Sequence, residues 1–413
     1  MSNLPTSAES RIVYLIGAVQ FVNILDFTMV MPLGPDFAVA LGIPTSHLGY
    51  IAGSYTAAAA VAGLLGSLFL DRFDRRSALA LALVGLALGT ASGGLATSFG
   101  GLMAARVLAG LFGGPATSLA LSIIADVVPA ERRGKAMGKV MGAFSLAQIF
   151  GVPAGLILAE RGGWRMPFFA VAAIGLLVAL GARVLLPPMR AHLAVRAAAG
   201  GGPSYGALLG RPAVRLSYAM TAVVMMAGFI LIPNLAAYMQ GNLHFPRASL
   251  SLLYLAGGIT SVFAMRLAGR AVDRWGAFRV AAAATPLLLA ILFFGFVRPM
   301  LPAPAIFVGF MLVMAFRNIS YNTLTSRVPS TVERARFMSI QSSVQHLASA
   351  GANFFASRLL SELPDHRLVG MEQVGLISMA LTAMIPLLIW RVEREVVRGN
   401  GTRVAPQASA ARR

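Results

Sequence analysis

One carboxylate of the sequence lies in the middle of a long apolar stretch. Asp26 stands in Phe21-Val-Asn-Ile-Leu-Asp26-Phe-Thr-Met-Val-Met-Pro32, whereas the other acids lie at the ends of such stretches or between them. A charged side chain at the centre of a membrane helix costs at least ~2.5 kcal/mol on insertion scales, so it should face the interior of a helix bundle. A carboxyl group in such a place can gain and lose a proton as its surroundings change. The alternative is an acid held in a fixed structural hydrogen-bond network.

Arg106 is the expected partner of Asp26. It lies in Leu102-Met-Ala-Ala-Arg106-Val-Leu-Ala-Gly110, within the outer half of another apolar stretch. An arginine stays charged at any working pH, so Arg106 can stabilise ionised Asp26 and release it when the two side chains separate. In the alternative interpretation, Arg106 is close enough to the end of its stretch for the guanidinium to reach the membrane surface.

A third charge, Arg317, lies deep in an apolar stretch of the second half of the chain. It opens the polar run Arg317-Asn-Ile-Ser-Tyr-Asn322, and no acid of this half lies at a comparable depth. Three partners are open for it: Asp26, an anionic group of a substrate, or backbone carbonyls together with Asn322. The full set of side chains predicted to line a central cavity is Asn23, Tyr55, Gln148, Asn234, Tyr238, Arg317, Asn318, Tyr321, Gln345 and His346. A lone histidine such as His346 is more often hydrogen-bonded packing than a proton relay.

The composition indicates a membrane protein. Of 413 residues, 57% are hydrophobic and only 12% are charged, which is unlike an ordinary soluble domain. Crossing a bilayer takes ~20 residues of helix but only ~10 alternating residues of barrel strand, so the long apolar stretches are helices. The predicted spans are 12–38, 46–70, 77–97, 101–127, 136–159, 165–186, 214–240, 249–269, 279–297, 303–326, 335–360 and 373–391.

The basic residues predict the orientation of these spans. The formal net charge is +19, and the arginines gather in every second connection between apolar stretches. Basic loops stay in the cytoplasm, so both termini are expected there, and the lipid bilayer rather than nucleic acid is the expected partner. The chain has no cysteine, which excludes disulfides and thiolate metal sites. No nucleophile elbow, metal-ligand spacing or phosphate-binding loop indicates an enzyme, a metal, a cofactor or an ATP-driven pump.

A charged turn of the first half recurs in the second half. The turn Asp71-Arg-Phe-Asp-Arg-Arg76 follows the second span, and Asp273-Arg-Trp-Gly276 follows the eighth. A Pro-, Ala- and Gly-rich linker lies between the halves. The predicted units are therefore a first six-helix half at 1–186, a cytoplasmic linker at 187–213, a second six-helix half at 214–391 and a cytoplasmic tail at 392–413.

The first of these turns resembles the signature of the major facilitator superfamily, G-x-x-x-D-R-x-G-R-R/K between the second and third helices. Ser67 and Asp74 stand where that signature has glycines. The resemblance covers about residues 12–391 and implies an all-α bundle of twelve transmembrane helices in two pseudosymmetric six-helix halves. It also implies a cytoplasmic gate, in which Asp71 faces the start of the eleventh span, near residues 337–340. The expected gate residues are Asp71, Arg72, Arg75, Arg76, Asp126, Arg133, Asp273 and Arg274.

Glycines and prolines form further motifs. Exporters of this superfamily carry a G-P-x-x-G-G motif in the fifth helix, and this chain is similar there, with the proline displaced by one position. The residues of this looser match, at which a kink is expected, are Gly151, Pro153 and Gly155. A generic kink is the alternative. Two sets of glycines at small-xxx-small spacing are expected to be helix-packing faces, namely Gly85, Gly89 and Gly93, and Gly134, Gly138 and Gly142.

Arg106 and Gly110 match the fourth-helix motif R-x-x-x-G, whose arginine is linked to proton coupling in this superfamily. The chain is thus similar to the drug:proton antiporter and sugar (arabinose) efflux branch. That resemblance implies a monomeric carrier of the bacterial inner membrane, which exports small organic molecules in exchange for protons by alternating access. Asp26 would carry the proton. An uptake symporter or facilitator of the same fold, and a transport-inactive membrane sensor, are the alternatives.

Overall fold

The computed structural model of the protein describes residues 6–69, 72–189, 205–329 and 334–404. The N-terminal half contains α1 (Thr6–Met29), α2 (Gly34–Leu41), α3 (Leu48–Phe69), α4 (Arg75–Leu95), α5 (Phe99–Val127), α6 (Ala130–Leu146), α7 (Val152–Gly162) and α8 (Arg165–Leu185). The C-terminal half contains α9 (Tyr205–Gly210), α10 (Pro212–Phe229), α11 (Leu235–Gly241), α12 (Leu250–Trp275), α13 (Ala277–Leu292), α14 (Ala303–Ser326), α15 (Arg334–Leu359) and α16 (Met371–Val404). A two-stranded antiparallel hairpin, β1 (Ser361–Glu362) and β2 (Leu368–Val369), connects α15 to α16.

These helices form the predicted all-α membrane bundle. Eleven helical segments of the described residues are long and apolar enough to cross a membrane, judged by length and composition. The remaining predicted span, residues 335–360, is α15, which has the length of a span but carries polar side chains such as Gln341, Gln345 and Asn353. It packs along α3 of the other half, so its polar residues belong to a helix at the contact between the halves.

The first predicted span, 12–38, is interrupted near Pro32. α1 begins earlier than predicted, at Thr6, and ends at Met29, and α2 follows from Gly34. Proline has no N–H to donate and its ring clashes with the preceding turn, which breaks a helix at this point. The prediction of an unbroken span was therefore wrong, and Asp26 lies in the last turn of α1.

The seventh span has the same interruption. α10 and α11 are separated by a turn at Ile232–Asn234 that contains Pro233, so the equivalent helix of each half breaks at a proline. The last helix also differs from the prediction. α16 continues beyond residue 391 and ends at Val404, so the first part of the assigned tail is helical.

The two halves repeat one packing pattern. In the N-terminal half α3 and α4 both pack on α5, and α4 packs on α8. In the C-terminal half α12 and α13 both pack on α14, and α13 packs on α16. The second and third spans of each half thus pack on the fourth, and the third packs on the sixth. Contact between the halves runs through α3 with α15 and through α7 with α12.

The buried apolar residues show where the halves meet. We call the face with the α3–α4 and α5–α6 turns the terminal face, because α1 begins there, and the opposite face, with the β-hairpin, the distal face. One buried cluster, which includes Phe37 and Leu235, joins both halves towards the distal face. Towards the terminal face, the described residues form separate clusters, one around Ile123 in the N-terminal half and one around Ile389 in the C-terminal half. The halves are therefore closed against each other at the distal face.

Glycines permit the close approach of several of these helices. A Cβ atom on Gly89 would lie 2.7 Å from the Cα of Ala109, and one on Gly85 would lie 2.3 Å from the ring of Phe112. Gly93 is similarly close to Phe168, so the predicted packing face of α4 is confirmed. The prediction for α6 was wrong at Gly138 and Gly142, where a Cβ would meet no atom within 4 Å.

Candidate functional site

Asp26 and Arg106 form a buried ion pair inside the N-terminal half. Nη1 of Arg106 donates to Oδ1 of Asp26 at 2.9 Å, and Nη2 donates to Oδ2 at 3.2 Å. The side chains are 0% and 1% exposed, respectively, so the guanidinium does not reach the membrane surface. Nη2 also lies 3.3 Å from the backbone carbonyl oxygen of Asp26. Asp26 lies in the last turn of α1, so its carbonyl oxygen is a further acceptor near the end of that helix.

Three neighbouring side chains hold this pair in place. Thr90 on α4 donates to Oδ1 of Asp26 at 2.6 Å. The ring of Tyr55 on α3 lies under the guanidinium, with 4.5 Å between its centroid and Cζ of Arg106. The Tyr55 hydroxyl donates to Oδ1 of Asn23 at 2.9 Å, and the amide nitrogen of Asn23 donates to the backbone of α5 at 2.7 Å. The predicted cavity residues Asn23 and Tyr55 thus belong to one network with the ion pair.

The two buried charges of this pair compensate each other. Among the described residues, Asp26 is the only acid in the buried set, and both of its oxygens accept hydrogen bonds while it is ionised. A neutral carboxylic acid has no negative charge to balance the guanidinium, and an unbalanced buried charge is costly. Loss of either charge would therefore leave the other buried charge without compensation.

A second buried polar network lies in the C-terminal half, around Tyr321 of α14. The Tyr321 hydroxyl accepts from Nε2 of Gln341 at 2.8 Å and from Nε2 of Gln345 at 2.9 Å. Gln341 also donates to the hydroxyl of Thr221 on α10 at 2.7 Å. These bonds tie α10, α14 and α15 together, so the predicted cavity residues Tyr321 and Gln345 also have structural partners.

Arg317 is buried near this network with few partners of its own. It is 4% exposed, Nη2 lies 3.3 Å from Oδ1 of Asn318, and Nε is buried without an acceptor. No carboxylate of the described residues lies within ion-pair distance of it. Of the partners that the sequence left open, Asp26 is bound to Arg106 in this structure and Asn322 is exposed.

The other predicted cavity residues are dispersed. Asn234 is 0% exposed, and neither atom of its amide has a partner. Tyr238 donates to the carbonyl oxygen of Gly295 at 2.7 Å and is bound within the C-terminal half. Gln148 is half-buried where the fifth span crosses α12, and a Cβ on Gly258 would lie 2.9 Å from its carbonyl oxygen. His346 is half-buried on α15.

The predicted kink in the fifth span takes the form of a π-helix at Ala147–Gly151, between α6 and α7. Pro153, in the first turn of α7, has no N–H for a helical bond, which favours this local widening. Gly151 packs on α1, where a Cβ would lie 2.8 Å from Leu25, whereas a Cβ on Gly155 would meet nothing closer than 4.0 Å.

Several predicted gate residues form contacts within the N-terminal half. Arg75 pairs with Asp126 at 3.1 Å, and Arg76 donates to the carbonyl oxygen of Leu186 at 3.2 Å. Asp74, which departs from the family signature, caps α4 and accepts from the backbone N–H of Met189 at 2.7 Å. The charged turn thus fixes the end of α8 to the start of α4, a role that the sequence reasoning missed.

The remaining gate residues lie at the surface or outside the described part. Arg72, Asp273 and Arg274 are exposed, and the Arg274 guanidinium lies 5.7 Å from the centroid of the adjacent Trp275 ring. Asp71 lies outside the described residues, so its predicted position near residues 337–340 stays a prediction. The side chain of Arg133 also lies outside the described part.

Polar contacts join the halves at the distal face. Nη2 of Arg247 lies 2.6 Å from Oδ2 of Asp36, and Nε of Arg247 lies 2.8 Å from Oδ1. Glu362 of β1 accepts from the backbone N–H of Thr45 and from the ring of His366. Burial raises the pKa of Glu362, but these hydrogen bonds outweigh that effect and hold the pKa below its ordinary value.

A two-half helical bundle with a buried ion pair beside the contact between the halves is the architecture of a secondary transporter. The chain belongs to the Major Facilitator Superfamily, whose family model matches residues 16–353. It is accordingly a multi-pass membrane protein of a transporter family rather than of an enzyme family.

Its relatives include drug-resistance and transport proteins. The chain is 32% identical over 264 residues to a chloramphenicol resistance protein of Streptomyces lividans, covering 63% of this chain and 66% of that protein. It is 29% identical over 251 residues to the inner membrane transport protein YdhP of Escherichia coli, covering 59% of this chain and 62% of the relative. Among solved structures, a D-xylose-proton symporter superposes with a TM-score of 0.76 at 16% identity, covering 92% of this chain and 97% of that one.

Proposed function

We propose that the protein exports small organic molecules across the bacterial inner membrane in exchange for protons, as a monomer working by alternating access. The observation that carries this proposal is the buried pair of Asp26 and Arg106. Exchange of a proton for a substrate requires one titratable group that each side of the membrane can reach in turn. Asp26 is the only acid buried among the described residues, which makes it the group that we assign to this role.

The orientation follows from the basic residues. The terminal face carries the arginine-rich turns, so we assign it to the cytoplasm together with both termini. The halves are closed at the distal face, so the structure would then be an inward-facing state. The charged turns with Asp71 and Asp273 would close the cytoplasmic side when the cavity opens outward, as proposed for the gate.

In the transport cycle the protein carries either a proton or a substrate molecule, but not both. In the outward-facing state, protons from outside bind Asp26, Arg106 moves away, and the substrate is released. In the inward-facing state, Asp26 loses its proton to the cytoplasm, re-forms the pair with Arg106, and the substrate binds. The gradient supplies the free energy per proton, and the protein needs only to prevent proton and substrate from being carried together.

The name of the Streptomyces relative supports export of drug-like molecules, and the proline and glycines of the fifth span support the same direction. The shared fold does not indicate the direction of transport, because a proton symporter has the same fold. Chloramphenicol is therefore the first substrate that we would test.

The test uses the purified full-length protein in proteoliposomes with radiolabelled chloramphenicol. We expect an imposed pH gradient to drive accumulation in wild-type protein, and Asp26→Asn to abolish this accumulation while exchange without a gradient continues. Accumulation by Asp26→Asn at the wild-type rate would refute the proton assignment. Movement of substrate in the same direction as the protons would indicate an uptake symporter instead.

A further inference from the structure

The two arginines buried in the described spans differ in the charge around them. Arg106 is 1% exposed and faces a carboxylate, a backbone carbonyl and an aromatic ring. Arg317 is 4% exposed and has a single neutral acceptor, Oδ1 of Asn318, at 3.3 Å. Burying a charge is costly unless it is paired. An anion beside the guanidinium of Arg317 would therefore stabilise it, and the described residues do not supply one.

The unused part of Arg317 has the geometry of an anion site. Its Nε is buried without an acceptor, and Nη2, on the same edge of the guanidinium, has only the long bond to Asn318. That edge offers two parallel N–H donors, an arrangement that a carboxylate accepts in bidentate fashion. Two oxygens of one group match these two donors better than a single atom does, so the edge favours an anion with two acceptor oxygens, such as a carboxylate.

The backbone of α10 and apolar side chains lie beside this edge. Gly228 of α10 faces the guanidinium, and a Cβ atom there would lie 3.5 Å from Nη2. The next residue, Phe229, lies 5.8 Å from Phe27 of the N-terminal half, measured between ring centroids. The helix that faces the cation therefore also contacts the N-terminal half, through this aromatic pair.

We propose that Arg317 is the recognition residue for a carboxylate carried by the transported molecule, whose apolar body lies against Phe27 and Phe229. The substrates that bind most tightly are then amphipathic organic anions or zwitterions, whereas a neutral drug such as chloramphenicol would bind without this contact. This inference rests on the proposed transport function but concerns binding alone, so it is tested in protein that need not transport.

The first experiment measures the thermal unfolding of ligand-free protein in detergent. Arg317→Met replaces an unpaired buried charge by an apolar side chain of similar length, and we expect its unfolding midpoint to equal or exceed that of the wild type. Arg106→Met is the matched control, with an expected lower midpoint because Asp26 loses its partner. A loss of stability in Arg317→Met as large as in Arg106→Met would show that Arg317 has an internal partner, and would overturn the proposal.

The second experiment compares benzoate with benzamide, which share a ring and differ in the carboxylate. We expect wild-type protein to bind benzoate about tenfold more tightly than benzamide, because two charge-assisted hydrogen bonds form, and Arg317→Met to lose this preference. Equal binding of the two compounds by wild type, or a benzoate preference that persists in Arg317→Met, would overturn the proposal. Failure of pH-driven transport would leave both results unchanged, so failure of the proposed function is distinguishable.

Discussion

The pairing of Asp26 and Arg106 predicts strong thermodynamic coupling between the two positions. Removing one member of a buried ion pair costs about 3–5 kcal/mol, because the other charge is left without compensation. Asp26→Asn keeps the shape and one acceptor oxygen for Arg106 and Thr90, so its cost should lie at the lower end of that range. Arg106→Gln leaves the carboxylate facing a weaker donor, and should cost more.

The double variant Asp26→Asn/Arg106→Gln contains no buried charge at this site. We expect it to be more stable than either single variant, with a coupling free energy of at least about 2 kcal/mol. The stability of Arg106→Gln should also rise as pH falls, because protonation neutralises the isolated Asp26. Asp26→Asn has no such group, so its stability should lack this pH dependence.

The assay is unfolding of the purified protein in detergent, followed by intrinsic fluorescence for the wild type, both single variants and the double variant. Denaturant and thermal unfolding are measured at two pH values. If the effects of the two substitutions simply add, the charges do not stabilise each other and the mechanism built on their separation is wrong. A double variant that concentrates chloramphenicol with a pH gradient would contradict the assignment of the proton to this pair.

Three further predictions concern other parts of the molecule. Arg247→Gln removes a bidentate pair with Asp36 whose side chains are 26% and 24% exposed. We expect a loss of about 1 kcal/mol and a roughly fivefold shift towards states open at the distal face. Labelling of a single cysteine introduced at the distal face measures this shift, and an unchanged labelling rate would contradict the prediction. Because hydrogen bonds hold the pKa of Glu362 below its ordinary value, the contribution of Glu362 to distal closure is present above that ordinary value and is lost as pH falls through the pKa of the folded protein. The same labelling at falling pH checks this, with Glu362→Gln as the insensitive control. Gly110→Ala places a Cβ 2.3 Å from a backbone carbonyl oxygen of α3, whereas Gly138→Ala meets no atom within 4 Å; only the first should lower the unfolding midpoint, and equal midpoints would refute the packing argument.

The charged members of the site could be found from sequence because a charge inside an apolar span has few explanations. Asp26 and Arg106 were identified in this way, and the structure has them in contact. Thr90 was missed. A hydroxyl in a helix commonly bonds to its own backbone, as Thr90 also does with the carbonyl of Leu86 at 2.8 Å, so nothing in the sequence distinguished it from a packing residue.

Breaks in the helices and contacts between individual residues were harder to predict than the helices themselves. Membrane helices tolerate proline when neighbouring groups satisfy the freed carbonyls, so Pro32 alone did not show that the first span would end at Met29. Gly89 packs closely against α5, whereas Gly138 has no close neighbour. The spacing of the glycines did not predict this difference, because it depends on where a neighbouring helix lies. Asp74 was interpreted as a departure from a motif, and the hydrogen bond that it accepts from the Met189 N–H spans a distance in sequence that no local pattern reports.

The interrupted first span connects the ion pair to the contact between the halves. Asp26 lies at the end of α1, and Asp36 in α2 is bound to Arg247 of the other half. The ion pair itself lies within one half, so a rocking motion of two rigid halves would leave it intact.

A motion that opens the distal face must release or pull Asp36, and the break at Pro32 is the point at which that displacement reaches the last turn of α1. The carbonyl and carboxylate of Asp26 both bind Arg106 from that turn, so a small displacement there acts on the whole set of bonds at once. Coupling of proton and conformation by this route needs a bistable element that both sites bias, and the broken span is the segment of the chain that touches both.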